Sequence, residues 1–236
     1  MFYHKEHGLY KHAAAVQDTL DLTAILAQLT PAAKKWLQQV RAFTQIDSTN
    51  QYLLDHPQTD MVISDQQYAG RGQKDRSWYS PAGENIYLSV RWQTKVHPDI
   101  DRTMIIVAKA IQQLCFALSI KNCTIKRPND VMIDGKKAAG ILIEAVTQGS
   151  NIDLVIGIGV NVWMQHPAAD ASPDYSDPLP IHQPWTSLAE AARNAHASLA
   201  EHPGFNRTGF NRNSLTSKLL NILHVQLCHE LVQRSL

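Results

Sequence analysis

Residues 70–78 read Gly-Arg-Gly-Gln-Lys-Asp-Arg-Ser-Trp, a glycine-flanked loop that carries three cations. Glycine has no Cβ, so the backbone N–H groups and positive charges of such a loop can come close to an anion. The loop separates two runs with the composition of β-strands, which begin at Met61 and at Asn85. A solvated surface turn has the same composition. The pattern therefore indicates either an anion cradle between two strands or an ordinary exposed turn.

The segments on both sides of this loop predict a sheet, because they are rich in β-branched residues or alternate in polarity. Asp134-Gly135 joins two of them and is a type I′ hairpin signal. Residues 85–92 alternate as expected for a half-buried strand. The predicted strands are Val40 to Ile46, a run beginning at Met61 to Ile63, Asn85 to Trp92, Thr124 to Lys126, Val131 to Ile133, Ala138 to Val146 and Ile152 to Val162.

Apolar residues at helical spacing predict helices around this sheet. The clearest helix runs from Asp99 to Leu118 and carries one apolar stripe. Residues 166–186 contain five prolines and are predicted to form a loop. Residues 18–29 are predicted to form a helix that ends at Pro31. A second helix is predicted after a cap at Asp47 or Ser48, a third over Ser187 to Leu199, and a fourth from a cap at Asn213 to about Arg234. The fold class is thus α+β, a mixed sheet flanked by helices.

The charge balance argues against a general nucleic-acid binder. The 236 residues include 22 basic and 21 acidic side chains, a net charge of +1, so positive charge matters only where it clusters. Three cysteines without metal-ligand spacing predict free buried thiols and a cytoplasmic protein. The N-terminus lacks a signal-peptide pattern and no apolar run could span a bilayer, so no membrane association is expected. The eleven histidines show no zinc-ligand spacing, and no structural metal site is expected.

Further motifs place polar groups at the ends of predicted elements. Ser48-Thr49-Asn50 is typical of a helix N-cap, whose hydroxyl and backbone groups can also bind a neutral polar ring. Gly157 and Gly159 indicate either close strand packing or the floor of a ligand site. Lys126 ends a short strand, where most lysines merely keep their ammonium in water. The motifs are Asp47-Ser48-Thr49-Asn50, Gln66 to Gly70, Lys126-Arg127-Pro128-Asn129-Asp130, Ala139 to Glu144 and Gly157 to Asn161.

Together, and in this order over residues 47–161, the motifs and the glycine loop resemble the catalytic domain of biotin protein ligases. Weaker similarity continues to about Arg234. The resemblance implies the fold shared by class II aminoacyl-tRNA synthetases and biotin/lipoate ligases. It implies a linker remnant with one short helix over residues 1–35 and a catalytic domain over residues 36–236. The winged helix-turn-helix of bifunctional members and the C-terminal SH3-like barrel are expected to be missing.

The resemblance also implies a role for each motif. Lys126 and Arg71 would be the catalytic cations that contact the biotin carboxylate and the α-phosphate of ATP. Asp130 would place Mg²⁺ or the acceptor lysine, or would only cap its turn. The implied biotin-binding residues are Ser48, Thr49, Asn50, Gln67, Gly70, Arg71, Gly72, Gln73, Lys126, Gly140, Leu142, Gly157 and Gly159. The implied nucleotide-binding residues are Arg71, Lys74, Arg76, Trp78, Asn129, Asn161 and Trp185.

Two motifs depart from the family patterns Gly-Arg-Gly-Arg-x-Gly-Arg and Lys-Trp-Pro-Asn-Asp. Gln73 replaces the second arginine and Asp75 the second glycine. The loop thereby becomes less attractive to an anion by about two charges, each charge-assisted bond being worth ~1.5–3 kcal/mol. Arg127 replaces the tryptophan and would return a cation near the same phosphates. These substitutions predict weaker retention of an acyl-adenylate.

The activity that the resemblance implies is a two-step biotin–protein ligase. Biotin and Mg·ATP would give biotinyl-5′-AMP and pyrophosphate, and a lysine of the biotin carboxyl carrier domain of acetyl-CoA carboxylase would then receive the biotin. Operator DNA binding is not expected, and a homodimer is left open. Two alternatives stand beside this interpretation: a lipoate–protein ligase of the same fold, and a catalytically weak protein that binds biotin or biotinyl-AMP.

Overall fold

A computed structural model describes residues 19–94, 98–148, 151–164, 183–195 and 210–232 of the chain. Its strands are β1 Val40–Ile46, β2 Met61–Gln67, β3 Asn85–Thr94, β4 Cys123–Lys126, β5 Asp130–Ile133, β6 Lys136–Gln148 and β7 Asn151–Asn161. They form one seven-stranded sheet in the order β1-β2-β3-β7-β6-β5-β4. Only the β1–β2 pair within this sheet is parallel. The predicted mixed sheet of an α+β protein is confirmed.

Helices cover both faces of the sheet. They are α1 Leu22–Ala27, α2 Pro31–Trp36, α3 Thr49–Asp55, α4 Ile100–Ala117, α5 Leu188–Ala195 and α6 Arg212–Val232. The main apolar core lies between one face of the sheet and the helices α4 and α6. A smaller cluster of Ile46, Leu53, Val62 and Val155 packs α3 onto the opposite face. Because alternate residues of a strand point to opposite faces, the sheet is buried on both sides at its centre.

Strand β3 shows this double burial most clearly. Residues 85–91 are all buried, so the prediction of a half-buried strand was wrong. Ile86, Leu88 and Val90 belong to the main core, whereas the alternate positions Tyr87 and Ser89 carry polar atoms on the α3 face. The alternation in polarity therefore distinguishes an apolar core from a buried polar site, not a core from solvent.

The turn from β5 to β6 confirms the predicted hairpin and adds a bulge. Asp134 and Gly135 have φ of 49° and 75°, as a type I′ turn requires at both positions. The register runs from Met132 opposite Lys137 to Val131 opposite Ala139. Ala138 is thus an extra residue in β6, and a bulge of this kind redirects the side chains on one side of it.

The N-terminal helices differ from the prediction at Pro31. Instead of only ending a helix, Pro31 begins α2, and the Thr30 hydroxyl accepts a hydrogen bond from Ala33 N at 3.3 Å. Proline is well suited to the first turn of a helix, where its missing N–H would have no partner. Apolar residues of α1 and α2 enter the main core with α6. The predicted boundary at residue 35 falls inside α2.

Helix α6 begins two residues earlier than predicted. The side chain of Asn211, not of Asn213, accepts the N-terminal hydrogen bond, from Ser214 N at 3.0 Å. Asn213 instead bonds the α1 segment, accepting from Asp21 N at 3.0 Å and donating to Thr19 O at 3.1 Å. Among the apolar residues of this helix, Val225 is 52% exposed. The helix otherwise packs as the periodicity predicts.

Several predictions lie outside the described residues. They concern the proline-rich loop up to residue 182, the end of the helix after Ala195, and the break over residues 202–209. Within the described ranges, no helix combines the length and apolar character needed to cross a membrane.

Candidate active site

A cavity of about 590 Å³ opens on the α3 face of the sheet. Its walls come from the start of α3, the glycine loop, the centres of β3, β6 and β7, and the segment before α5. Its lining includes the aromatic residues Trp78, Tyr79, Tyr87 and Trp185, and its polar groups converge from several elements. A volume of this size and lining is typical of a small-molecule site.

One end of the cavity is a closed hydrogen-bond network. Gln67 Oε1 accepts from Thr49 N at 2.9 Å and from the Thr49 hydroxyl at 3.1 Å, and its amide nitrogen donates to Ser80 Oγ at 3.0 Å. Ser89 Oγ lies 2.8 Å from Thr49 Oγ1 and 2.7 Å from Asn50 Oδ1. These side chains hold one another in fixed orientations. They offer amide and hydroxyl groups to a neutral polar ligand.

Three glycines line the cavity, and side chains from neighbouring segments lie directly over them. A Cβ at Gly159 would lie 2.5 Å from the Trp78 indole, and one at Gly140 would lie 2.6 Å from the same ring. At Gly157 a Cβ would lie 2.3 Å from Asn50 Oδ1. Each distance is far below van der Waals contact, so a side chain at these positions would have to displace Trp78 or Asn50. Gly140, Gly157 and Gly159 thus line the cavity, and the Trp78 indole rests on part of this surface. That they form the floor of a ligand site stays a prediction.

The glycine loop folds as a short hairpin over the cavity. Trp78 N donates to Gly70 O at 2.8 Å and Gly72 N to Arg76 O at 2.6 Å. A Cβ at Gly70 would lie 2.5 Å from Trp78 O, so only glycine allows the two arms this close. At the tip Lys74 and Asp75 both have φ of 57°, a conformation that favours glycine. Asp75 thus stands where the family's glycine would be unstrained.

Arg71 is the principal cation of this hairpin. Its guanidinium binds both carboxylate oxygens of Glu144, at 2.8 and 3.2 Å, and Gln51 Oε1 at 3.0 Å. The side chain remains 40% exposed, and such a half-exposed ion pair stabilises the fold only weakly. A planar guanidinium held by two oxygens is shaped for a carboxylate or phosphate. Arg71 could therefore exchange Glu144 for an anionic ligand at small cost.

Gln73 does not point its amide at an anion in this arrangement. Its Nε2 lies 3.2 Å from the sulfur of Met104 on α4, and its backbone oxygen accepts from Arg76 Nε at 3.2 Å. The cation that a second arginine would supply is therefore absent from this wall.

A buried lysine that the sequence reasoning missed supplies positive charge instead. Lys137 lines the cavity and is 9% exposed. Its ammonium lies 2.7 Å from Asp130 Oδ1 and 5.1 Å from the centre of the Trp78 ring. The bulge at Ala138 explains both its position and the omission. Regular alternation would put residues 137 and 140 on opposite faces, yet a Cβ at Gly140 would lie 3.3 Å from Lys137 Cε.

Lys126 takes a different position from the predicted one. It is exposed at the end of edge strand β4, opposite Asp130 in the register, and is not among the residues that line the cavity. Of the two lysines it is Lys137 that lines the cavity, contrary to the predicted placement of Lys126. The catalytic role of either lysine stays a prediction. Asp130 is likewise absent from the lining and reaches the cavity through Lys137. Neither Gly70 nor Lys74 lines it, because one lies at the base of the loop and the other at its tip.

Other predicted residues converge as expected, although their roles stay predictions. The cavity is lined by Ser48, Thr49, Asn50, Gln67, Arg71, Gly72, Gln73, Arg76, Trp78, Asn129, Gly140, Leu142, Gly157, Gly159, Asn161 and Trp185. Several of them also hold the backbone together. Asn129 Nδ2 donates to Ile141 O at 3.1 Å, and Asn161 Nδ2 donates to Thr186 O at 3.0 Å.

Residues 184–186, just before α5, are hydrogen-bonded to Lys137 of β6. Lys137 N donates to Pro184 O at 2.9 Å and Thr186 N to Lys137 O at 3.0 Å, so Trp185 lies beside Lys137. Trp185 is 5% exposed and forms part of the wall. Its backbone is thus fixed in place even though its ring borders the cavity.

Tyr87 is a second residue missed by the sequence reasoning. Its hydroxyl donates to Pro81 O at 2.9 Å and accepts from Asn85 Nδ2 at 3.1 Å. Burial raises the pKa of the Tyr87 phenol well above its ordinary value, so the ring stays neutral. Ser80, Ser89, Glu144, Met164 and Gln183 also contribute to the site without having been predicted. The alternation of β3 could have identified Tyr87 and Ser89, since both lie opposite its core face.

This combination defines a class of site. A rigid amide and hydroxyl pocket adjoins a glycine floor, and two cations, Lys137 and Arg71, lie beyond it. Such a site suits a small molecule with a neutral polar ring at one end and an anion at the other. Sequence comparison agrees: residues 42–161 match the model of the biotin/lipoate A/B protein ligase family, and the chain belongs to that family.

Individual relatives are similar over the same region. The bifunctional ligase/repressor BirA of Escherichia coli is 34% identical over 155 residues, which cover 63% of this chain and 46% of that protein. The biotin–[acetyl-CoA-carboxylase] ligase of Paracoccus denitrificans is 32% identical over 123 residues, 51% of each chain. The chain thus spans about half the length of the curated relatives it matches.

Solved structures support the fold. The biotin protein ligase of Aquifex aeolicus in complex with biotin and ATP superposes with a TM-score of 0.62 at 21% identity, covering 83% of this chain and 72% of that one. The biotin protein ligase of Leishmania major in complex with biotinyl-5-AMP gives a TM-score of 0.52 at 20% identity, covering 84% of this chain and 83% of that one. At this identity the likeness establishes the fold alone.

Proposed function

We propose that this chain is a biotin–protein ligase. It would join biotin and ATP to biotinyl-5′-AMP with release of pyrophosphate, and then transfer biotin to a lysine of a biotin carboxyl carrier domain. The proposal is supported by family membership, by relatives that carry ligase names, and by a cavity that pairs a neutral polar end with two cations.

The observation that carries the proposal is the buried Lys137 ammonium between the polar pocket and the aromatic wall. When a carboxylate attacks the α-phosphorus of ATP, negative charge accumulates on the phosphoryl oxygens. A fixed cation in a poorly hydrated site stabilises that charge strongly. Lys137 is held by Asp130 at 2.7 Å and by its own strand, so little reorganisation is needed.

Binding would proceed from the two ends of the cavity. Thr49, Asn50 and Gln67 would orient the ureido ring of biotin, and its carboxylate would extend toward Lys137. Arg71 would leave Glu144 and take the carboxylate or the α-phosphate. Catalysis would consist of positioning and charge stabilisation, without a covalent enzyme intermediate.

The second step needs only the acceptor amine near the same anhydride. Its attack on the carbonyl carbon forms an amide and releases AMP. The exposed hairpin that carries Arg71 and Trp78 lies over the cavity, so access for the amine would depend on how far this hairpin opens. The carrier domain, a homodimer and the absence of operator binding stay predictions, as does the cytoplasmic location that three free cysteines favour.

Magnesium would arrive with the nucleotide. In the described ranges, no group of three His, Cys, Asp or Glu side chains could hold a metal ion, and Asp130 is paired with Lys137. A single carboxylate near a cation fits a nucleotide-bound ion better than a resident one. When bound with ATP, Mg²⁺ would neutralise phosphate charge and help pyrophosphate leave.

Biotin-dependent exchange of labelled pyrophosphate into ATP tests the proposal. A ligase exchanges label only when biotin is present. Exchange supported by lipoate instead would identify a lipoate–protein ligase. Saturable biotin binding without exchange would identify the catalytically weak binder, which strain at Asp75 and the missing cation at Gln73 favour as the second candidate. Transfer of label to a carrier domain then tests the second step.

A further inference from the structure

The regular pairing of the two strands that support the glycine hairpin ends before the hairpin begins. Strands β2 and β3 pair from Met61 opposite Val90 to Ser64 opposite Tyr87. Beyond that pair the regular ladder ends, and residues 65–67 and 84–86 form the two feet of the hairpin. Backbone bonds from Gly83 N to Asp65 O at 3.2 Å and from Gln67 N to Ser80 O at 3.4 Å still join the two sides. Where the ladder ends, backbone groups need other partners, and side chains can help to fix the separation of the feet.

Arg212 supplies such a side chain from the other face of the sheet. It is the first residue of α6 and is 0% exposed. Its Nη1 lies 2.7 Å from Asp65 Oδ1 on one foot and 3.2 Å from Asn85 O on the other. A buried guanidinium is costly to desolvate unless its partners are well placed. Its bonds to both feet therefore define their separation.

One of the residues that Arg212 binds is itself hydrogen-bonded to a residue of the cavity wall. Asn85, whose carbonyl Arg212 binds, donates from Nδ2 to the Tyr87 hydroxyl at 3.1 Å and accepts from Val162 N at 3.0 Å. The Tyr87 hydroxyl donates to Pro81 O on the returning arm of the hairpin. On the other foot, Asp65 O accepts from Gly83 N at 3.2 Å. The returning arm is thus tied at Pro81 and Gly83 to residues that Arg212 holds, and the outgoing side is held at Asp65.

We infer that Arg212 is a positioning residue for the candidate site: by fixing the feet of the hairpin, it keeps Arg71 and Trp78 over the cavity. Arg212 does not touch the cavity itself. Its effect on the position of the hairpin follows from the structure alone, whereas its effect on catalysis rests on the proposed function. The two parts need separate measurements.

Native-state trypsin cleavage measures the hairpin directly, because Arg71, Lys74 and Arg76 are exposed cleavage sites. We expect Arg212→Met to raise the cleavage rate within residues 70–78 at least tenfold, measured well below the melting temperature by the masses of the fragments. Arg212→Lys should restore part of the protection. Asp65→Asn, which keeps the shape of the carboxylate but removes its charge, should also raise the rate.

The chain offers a matched control in Arg91 at the opposite end of β3. Arg91 is 7% exposed, pairs with Asp153 at 2.9 Å, and donates from Nε to Thr59 O at 3.1 Å. Arg91→Met removes a similar buried ion pair without touching the hairpin feet. It should lower the melting temperature and leave hairpin cleavage unchanged.

The inference is overturned if Arg212→Met and Asp65→Asn are cleaved at the parent's rate, or if Arg91→Met is cleaved as fast as they are. If Arg212→Met does not fold, Asp65→Asn alone decides. In the exchange assay, we expect Arg212→Lys to raise the KM for biotin and ATP several-fold more than it lowers kcat. If the parent shows no exchange, the proposed function fails while the cleavage result still decides the role of Arg212.

Discussion

Lys137 shows how much a single extra residue can determine. Ala138 shifts the register of β6 by one position, and the ammonium of Lys137 consequently lies on the glycine side of the strand. Without this bulge the cations that line the cavity would be the exposed Arg71 and Arg76 of the hairpin. The charge stabilisation proposed for Lys137 therefore depends on local backbone geometry as much as on residue type.

We predict that Lys137→Ala lowers biotin-dependent pyrophosphate exchange at least a hundredfold, equivalent to ~2.7 kcal/mol of transition-state stabilisation. Lys126→Ala is the matched control, since it removes the same charge from an exposed position on the edge strand β4. Its exchange rate should stay within threefold of the parent. A large loss in Lys126→Ala with little loss in Lys137→Ala would restore the original sequence assignment.

Gln73 is predicted to let the adenylate escape. Its amide contacts the Met104 sulfur and provides no charge to the cavity, so one charge-assisted bond worth about 1.5–3 kcal/mol is missing. Gln73→Arg should slow the release of biotinyl-AMP roughly tenfold or more, measured by trapping the free adenylate after dilution. Gln73→Met, which keeps the length without the charge, should leave the off-rate near that of the parent. An unchanged off-rate in Gln73→Arg would remove Gln73 as a determinant of retention.

At the scale of elements, the segment of residues 184–186 places an aromatic ring beside Lys137. The neighbouring backbone is fixed by two hydrogen bonds to Lys137, and the ring borders the cavity without a bound nucleotide. Stacking of an indole on adenine would contribute ~1–3 kcal/mol. The competing interpretation is that Trp185 only packs on the sheet, which its 5% exposure also fits.

Trp185→Ala separates the two interpretations. If Trp185 covers the adenine, the KM for ATP should rise at least fivefold while the Kd for biotin alone changes little. Trp185→Phe should recover most of the ATP binding, because a phenyl ring also stacks. Equal weakening of both ligands together with a lower melting temperature would show that the ring is only part of the core.

The elements that the sequence predicted are those set by local signals. Strand composition and turn residues such as Asp134-Gly135 identified six of the seven strands closely, and β2 by its start. The apolar stripe identified α4. What the sequence could not show depends on pairing across distance. The bulge at Ala138 is defined by the pairing of β6 with β5. The partners of Arg212 lie on two strands that are far away along the chain. Pro31 is locally compatible with the end or the start of a helix, and packing of Ala33 into the core decides between them.

At the scale of the whole molecule, the helices behind the sheet hold the site from its far side. Helices α1 and α2 pack on α6, and α6 begins with the residue that braces the hairpin. An aromatic cluster joins these layers: the Trp36 ring lies 5.3 Å from Trp92 and 5.6 Å from His224. One side chain each from α2, β3 and α6 meets there. Disturbing this cluster should loosen the layer that supports the cavity.

His224 makes that support dependent on pH. Burial lowers the pKa of His224 below its ordinary value of 6.5, so the unfolded chain takes up a proton more readily than the folded one. Its contribution to stability is therefore present above about pH 6.5 and is lost as the pH falls through the lowered pKa of the folded state. Between about pH 7.5 and 5, we expect the free energy of unfolding to fall less steeply in His224→Gln than in the parent, measured by urea denaturation. His229→Gln, an exposed histidine on the same helix, should keep the parent's slope. Parallel slopes in the parent and His224→Gln would show that the cluster carries no such proton linkage.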